Sequence, residues 1–180
     1  MAEEGTGRAG WVASALERYQ HPLLRYAGHL LGGAAGAPDV VQNTFLKLCR
    51  EDPARLNGYL APWLFRVCRN EALDARRKLR RLRPLEEARL PEQPSPEPTP
   101  ARLLEARDSF RGVLAVLATL PAAQQEALRL KLQEGLSYRD IGTVMGVTAN
   151  HVGVLIHKGL KSLRARLQED GATSFPGRVR

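Results

Sequence analysis

The residues able to do chemistry in this chain are mostly cations. Between Trp63 and Arg83 stand Arg66, Arg69, Arg76, Arg77, Lys78, Arg80, Arg81 and Arg83, against only Glu71 and Asp74. At about 100° per residue, Arg66, Arg69, Arg76, Arg80 and Arg83 fall on one side of a helix. Leu64, Cys68, Ala75, Leu79 and Leu82 fall on the other. One side can pack while the other presents a track of charge to phosphates; a solvated basic face is the alternative. A second group follows Thr148: Asn150, His151, His157, Lys158, Lys161 and Arg164 share a stretch with the apolar series Val152, Ile156, Leu160, Leu163 and Leu167. Amide and imidazole groups in a first helical turn can reach base edges, and later cations can meet phosphates.

Other reactive side chains form no constellation. Ser, His and Asp are scattered over helices and caps, and no Gly-rich phosphate loop or nucleophile–base set occurs. His151 and His157 lie six apart, a poor spacing for one metal ion. No catalytic residue, metal site or cofactor is therefore expected. Cys49 and Cys68 fit neither a ligand pair nor a disulfide framework. Both fall in apolar-periodic stretches and are expected as buried free thiols, which suits a reducing cytoplasm.

The elements that position these groups are helices. The 180 residues carry a net charge of +8 and a pI near 10.1, so a polyanionic partner is expected. Aromatic residues make up only 6%, so the core must be largely Leu, Val and Ala. No secretory signal and no apolar run long enough to span a bilayer is present, which argues against export and membrane insertion. Residues 1–10 read as a disordered lead. Helical periodicity begins near Trp11 and runs to Leu31, with Pro22 able to kink or divide it and Gly32-Gly33 ending it. A second helix is expected from Pro38 to Arg50, a loop from Asp52 to Ala61, and a third helix from Pro62 to Arg83. Residues 84–100 hold Pro91, Pro94, Pro96 and Pro98 among glutamates and read as a tether. Periodicity resumes near Ala101. Pro121 opens a helix closed by Gly135, and Ser137 with Asp140 forms a variant capping box. A short helix from Tyr138 to Met145, the turn Gly146-Val147-Thr148 and a longer helix to about Leu167 follow the helix-turn-helix plan. Residues 169–180 read as a tail. The fold class is all-α: two small helical domains, 11–83 and 101–168, joined by a Pro-rich linker.

Three segments resemble one known family. Residues 120–167 (LPAAQQEALRLKLQEGLSYRDIGTVMGVTANHVGVLIHKGLKSLRARL) look like the minus-thirty-five-binding domain of extracytoplasmic-function sigma factors. Leu120-Pro121, the Gln124/Glu126 pair, Gly135-Leu136-Ser137-Tyr138 and Ile141 carry that match. The segment PDVVQNTFLKLCR resembles the family's D-V-V-Q-E-x-F helix, with Asp39, Gln42, Phe45 and Leu46 matching and Asn43 replacing a glutamate. The segment PWLFRVCRNEALDARR resembles the W-L-[YF]-R-I-A-x-N-x-x-x-D segment that helps melt the minus-ten element.

The resemblance implies a sigma factor that binds core RNA polymerase and directs promoter-specific initiation, for a stress or envelope-response regulon. It implies polymerase contact through Asp39, Gln42, Asn43 and Leu46, on the large clamp subunit, with the flap subunit as a further partner. It implies minus-ten contact with melted single strand through Leu56, Asn57, Tyr59, Arg66, Arg69, Asn70, Arg76, Arg77 and Arg80, with Trp63 anchoring the core. Minus-thirty-five duplex contact would fall to Thr148, Asn150, His151, Val154, His157, Lys158 and Lys161. An anti-sigma factor is implied as a partner, and the linker is implied to pass near the RNA exit path, though a passive tether serves equally. Relatives often carry arginines where this chain has Gly153, Val154 and Leu155. The competing readings are a regulator that binds duplex DNA by itself, which leaves the first domain unexplained, and an enzyme.

Overall fold

In a computed structural model the chain is described over residues 2–82 and 116–169. Every regular element there is helical. They are α1 (Ala2–Leu31), α2 (Ala37–Leu48), a 3-10 turn (Pro53–Leu56), α3 (Leu60–Leu82), α4 (Ala122–Leu132), α5 (Tyr138–Met145) and α6 (Ala149–Glu169). The tether at 84–100, the stretch 101–115 and the end of the tail lie outside the described residues. The chain divides into two compact units, with the α1–α3 bundle in the first and α4 and α6 in the second. No helix among the described residues is long and apolar enough to cross a membrane.

The first unit packs α1, α2 and α3 pairwise. Its interior is Leu23 and Ala27 from α1, Val41, Phe45 and Leu48 from α2, and Leu64, Phe65, Cys68 and Ala72 from α3. The rings of Tyr26 and Phe65 meet edge-on with centroids 5.3 Å apart, the arrangement that aromatic quadrupoles favour. Trp63, expected as the core anchor, is only half-buried. Helical geometry aims Phe65, two positions on, at α1 instead.

Segment 1–10 is not a disordered lead: α1 starts at Ala2. A long-range tie holds this end, because Arg8 Nη2 donates to the Glu51 carbonyl at 2.5 Å. Pro22 lacks the amide that Arg18 O would receive, yet α1 continues through it. The helix ends in a Schellman motif. Gly33 N donates to Gly28 O and Gly32 N to His29 O, with Gly32 left-handed at φ 76°, a conformation open to glycine at no steric penalty.

In the second unit α4 and α6 cross closely. Ala127, Leu128 and Leu130 from α4 and Val152, Ile156 and Leu163 from α6 are buried. Gly159 sits at the crossing: a Cβ built there would stand 2.7 Å from Leu128 Cδ1. The Gln125 amide donates to the carbonyls of Ala118 (2.9 Å) and Leu120 (2.7 Å), tying the Leu120-Pro121 turn to α4. Arg166 bonds to Thr119 Oγ1 and, at 3.4 Å, to its carbonyl, fastening the far end of α6.

Candidate nucleic-acid and polymerase interfaces

On α2, Val40, Val41, Thr44, Phe45 and Leu48 point inward, and Thr44 Oγ1 satisfies itself on the Val40 carbonyl at 2.8 Å. The opposite side exposes Asp39, Gln42, Asn43 and Leu46 together. Leu46 is 54% exposed, an apolar group set among polar ones. Lys47 of α2 pairs with Glu71 of α3 at 2.5 Å, which orients this face. Cys49, at the end of α2, is exposed rather than buried. It follows Leu48 by one residue, about 100° around the helix, and so turns out of the core.

The loop before α3 is built by Asp52, whose Oδ1 accepts from Ala54 N at 3.0 Å. Gly58 takes a left-handed φ of 73°, and Tyr59 N closes onto Leu56 O at 2.9 Å. Asn57 stands exposed at the apex and Tyr59 half-exposed. Leu56, expected among the DNA contacts, is 5% exposed and plugs the underside of the loop. An apolar side chain on a short 3-10 turn gains more from core burial than from a charged strand. Arg55 beside it is exposed and was not anticipated; it is held loosely, 3.9 Å from Asp52. The signal was available as a lone cation adjoining the loop.

Along α3, Arg66, Asn70, Arg76, Arg77, Lys78 and Arg81 are exposed. Arg69 is half-buried and engaged in an interaction. Arg77 is paired with Asp74 at 2.5 Å, so its charge is partly answered within the helix. The side chain of Arg80, and Arg83 altogether, lie outside the description. Leu79, expected on the packed side, is 59% exposed. On the packed side of the same helix lies Cys68, fully buried. Burial pushes its thiol up to about 12, opposed by a hydrogen bond with Thr44 and reinforced by the nearby Glu71 carboxylate. It is an inert packing group rather than a nucleophile.

The helix-turn-helix is defined by its caps. Asp140 N donates to Ser137 Oγ at 3.1 Å, Ser137 N approaches Asp140 Oδ2 at 3.4 Å, and the Ser137 hydroxyl donates to the same oxygen at 2.6 Å. This reciprocal arrangement starts α5 where the capping-box spacing predicts. Ile141, Val144 and Met145 are buried. Gly146, at φ 72°, turns the chain, and Thr148 Oγ1 accepts from His151 N at 3.2 Å to start α6. Thr148, Asn150, His151, Val154, His157, Lys158 and Lys161 are all exposed. Leu160, one of the apolar series, and Val147 of the turn are only half-buried, and Gly159 packs closely against Leu128 of α4. Tyr138, at the start of α5, is also part of this surface: 42% exposed, with Lys131 Nζ 5.6 Å from its ring centroid. Among the described residues no group of His, Cys, Asp and Glu is arranged to hold a metal ion.

Comparison with known proteins bears on both surfaces. Residues 15–82 match the family model for Sigma-70 region 2, and residues 110–163 match that for Sigma-70 region 4. The ECF RNA polymerase sigma factor SigL of Mycobacterium tuberculosis is 34% identical over 158 residues, covering 84% of this chain and 85% of SigL. This chain is an extracytoplasmic-function sigma factor. Such proteins direct promoter-specific transcription initiation by RNA polymerase, and this chain does the same. SigE of Mycolicibacterium smegmatis is also 34% identical, over 146 residues and 79% of this chain, although the match spans only 56% of SigE. Among solved structures, that of CnrH in complex with the cytosolic domain of CnrY aligns with a TM-score of 0.60 at 25% identity, covering 94% of this chain and 95% of CnrH. The α2 face and the loop–α3 cations thus fall in the region 2 match, and α5–α6 in the region 4 match.

Proposed function

We propose that the two units of this sigma factor divide promoter engagement. The exposed α2 face (Asp39, Gln42, Asn43 and Leu46) docks on the large clamp subunit of core polymerase. The loop at Asn57 and Tyr59, with Arg66, Arg69, Asn70, Arg76, Arg77 and Arg80 of α3, holds the melted minus-ten strand. Extruding a base is offset by cations along the displaced strand and by a shaped loop. The α6 helix enters the minus-thirty-five major groove with Thr148, Asn150, His151, Val154, His157, Lys158 and Lys161, while its domain meets the flap subunit. The protein makes and breaks no covalent bonds; the chemistry belongs to the polymerase, in the cytoplasm. By analogy with CnrH, held by the cytosolic domain of CnrY, an anti-sigma partner covers the units until a signal releases them. The observation that carries this reading is the cap-defined helix-turn-helix, which leaves its polar and cationic residues exposed while Val152, Ile156 and Leu163 are buried.

The test is run-off transcription with purified core polymerase, with and without this chain. Transcripts that require both components, and that disappear with Asp39→Arg while α1–α3 stays folded, support the reading. Tight duplex binding by the chain alone, with no redirection of core polymerase, would refute it in favour of an independent DNA-binding regulator.

A further inference from the structure

The exposed side of α6 that is assigned to the duplex has an apolar surface near its N-terminal end. Val154 is 48% exposed there. Gly153 before it lies beside the Tyr138 ring: a Cβ at that position would stand in ordinary contact, 3.8 Å from Tyr138 Cε2. Val154 and Tyr138 line an open groove together with Ala149, Asn150, Gly153, His157 and Lys158. Val154 is therefore flanked by hydrogen-bonding groups four positions before it and three and four after it, on the same side of the helix.

That pattern limits what the groove can meet. In the major groove, base edges present acceptor atoms, amino donors and one apolar feature, the thymine 5-methyl group. Exposed Val154, which shares the groove with the Tyr138 ring, has that methyl as its apolar counterpart, while Asn150, His157 and Lys158 address the polar atoms of adjacent bases. The groove is continuous with the face assigned to the duplex, which favours DNA over a second protein as the occupant.

We propose that the Val154–Tyr138 groove reads thymine methyl groups, making upstream promoter selection by this sigma factor depend on a methyl contact. The proposal rests on the placement of α6 on the minus-thirty-five duplex. Each methyl removed from water changes selection about fourfold.

The test uses holoenzyme assembled from core polymerase and the full chain. Promoter fragments are randomised in the upstream element and selected by transcription from two pools. In one pool the upstream segment contains thymine; in the other it contains uracil, which pairs alike but lacks the methyl. The downstream DNA is ordinary in both. The expected result is thymine enrichment at one or more upstream positions, falling about fourfold per position in the uracil pool. Val154→Ala, a surface change that the fold tolerates, should abolish the enrichment in the thymine pool. At the selected position, 5-methylcytosine should outperform cytosine by a similar factor. Equal selection from both pools, or unchanged thymine preference in Val154→Ala, overturns the proposal while leaving the sigma reading intact. If neither pool yields transcripts that depend on this chain, the sigma reading fails and the proposal falls with it.

Discussion

Helix α6 contains two interior glycines whose replacement by alanine should have opposite outcomes. In a helix interior, Gly→Ala gains about 1 kcal/mol from reduced backbone entropy in the unfolded chain. At Gly153 the new Cβ would make an ordinary contact, 3.8 Å from Tyr138, so the full gain is expected. At Gly159 it would lie 2.7 Å from Leu128 Cδ1, 3.4 Å from Leu128 Cγ and 3.5 Å from Gln124 Cβ. Leu128 is 0% exposed and has no solvent to swing into. Overpacking of this kind costs about 1–3 kcal/mol, so Gly159→Ala should be neutral to about 2 kcal/mol destabilising. The two variants should therefore differ by about 1–3 kcal/mol. The clash is with side-chain atoms alone. In a Leu128→Ala background, itself destabilised by about 2–5 kcal/mol, Gly159→Ala should become stabilising. Trp11 and Trp63 both lie in α1–α3, so tryptophan fluorescence does not report on the packing of α4 and α6. Hydrogen exchange of α4 and α6 amides in the intact chain does, with about tenfold in protection for each 1.4 kcal/mol. The reasoning is refuted if Gly159→Ala protects α6 as well as Gly153→Ala does, or if its sign does not invert without the Leu128 side chain.

Thiol chemistry should separate the two cysteines. Cys49 reacts with iodoacetamide in the native protein, whereas Cys68 reacts only at the rate of unfolding, giving one fast equivalent by mass spectrometry. The Cys68 thiol is raised to about 12 in the fold, against about 8.5 in an unfolded chain. Its contribution is therefore intact below about pH 8.5 and lost as pH rises towards 12, at up to about 1.4 kcal/mol per pH unit; Cys68→Ala should unfold with a shallower alkaline dependence in denaturant titrations. Removing the capping box with Ser137→Ala should destabilise α5 by about 0.5–2 kcal/mol, seen as faster amide exchange confined to α5 and the start of α6. Neutralising an exposed cation of α3, as in Arg76→Gln, should weaken promoter-complex formation and lower the slope of log affinity against log salt by about one; an unchanged slope would place Arg76 off the phosphates.

The order of helices and the capping box of α5 were legible from residue types and a 3.6-residue period, and the residues of the exposed α2 face from the family resemblance. Capping and helical phase are local, so Ser137, Asp140, Thr148 and Gly146 act where their spacing says they should. The charge of α3 and α6 was likewise a property of composition. Periodicity assigns a residue to a side of its own helix, but not to a neighbour across the core. Tertiary structure alone decided that Leu56 is buried and that Phe65 rather than Trp63 meets Tyr26. It also decided the beginning of α1, which is tied by Arg8 to a carbonyl 43 residues away. Gly159 marks the division most clearly. Along the chain it is a weak helix former in a basic stretch, and only the approach of Leu128 from α4 shows that the absent side chain is what lets the two helices close and seat α6 with its polar and cationic residues exposed.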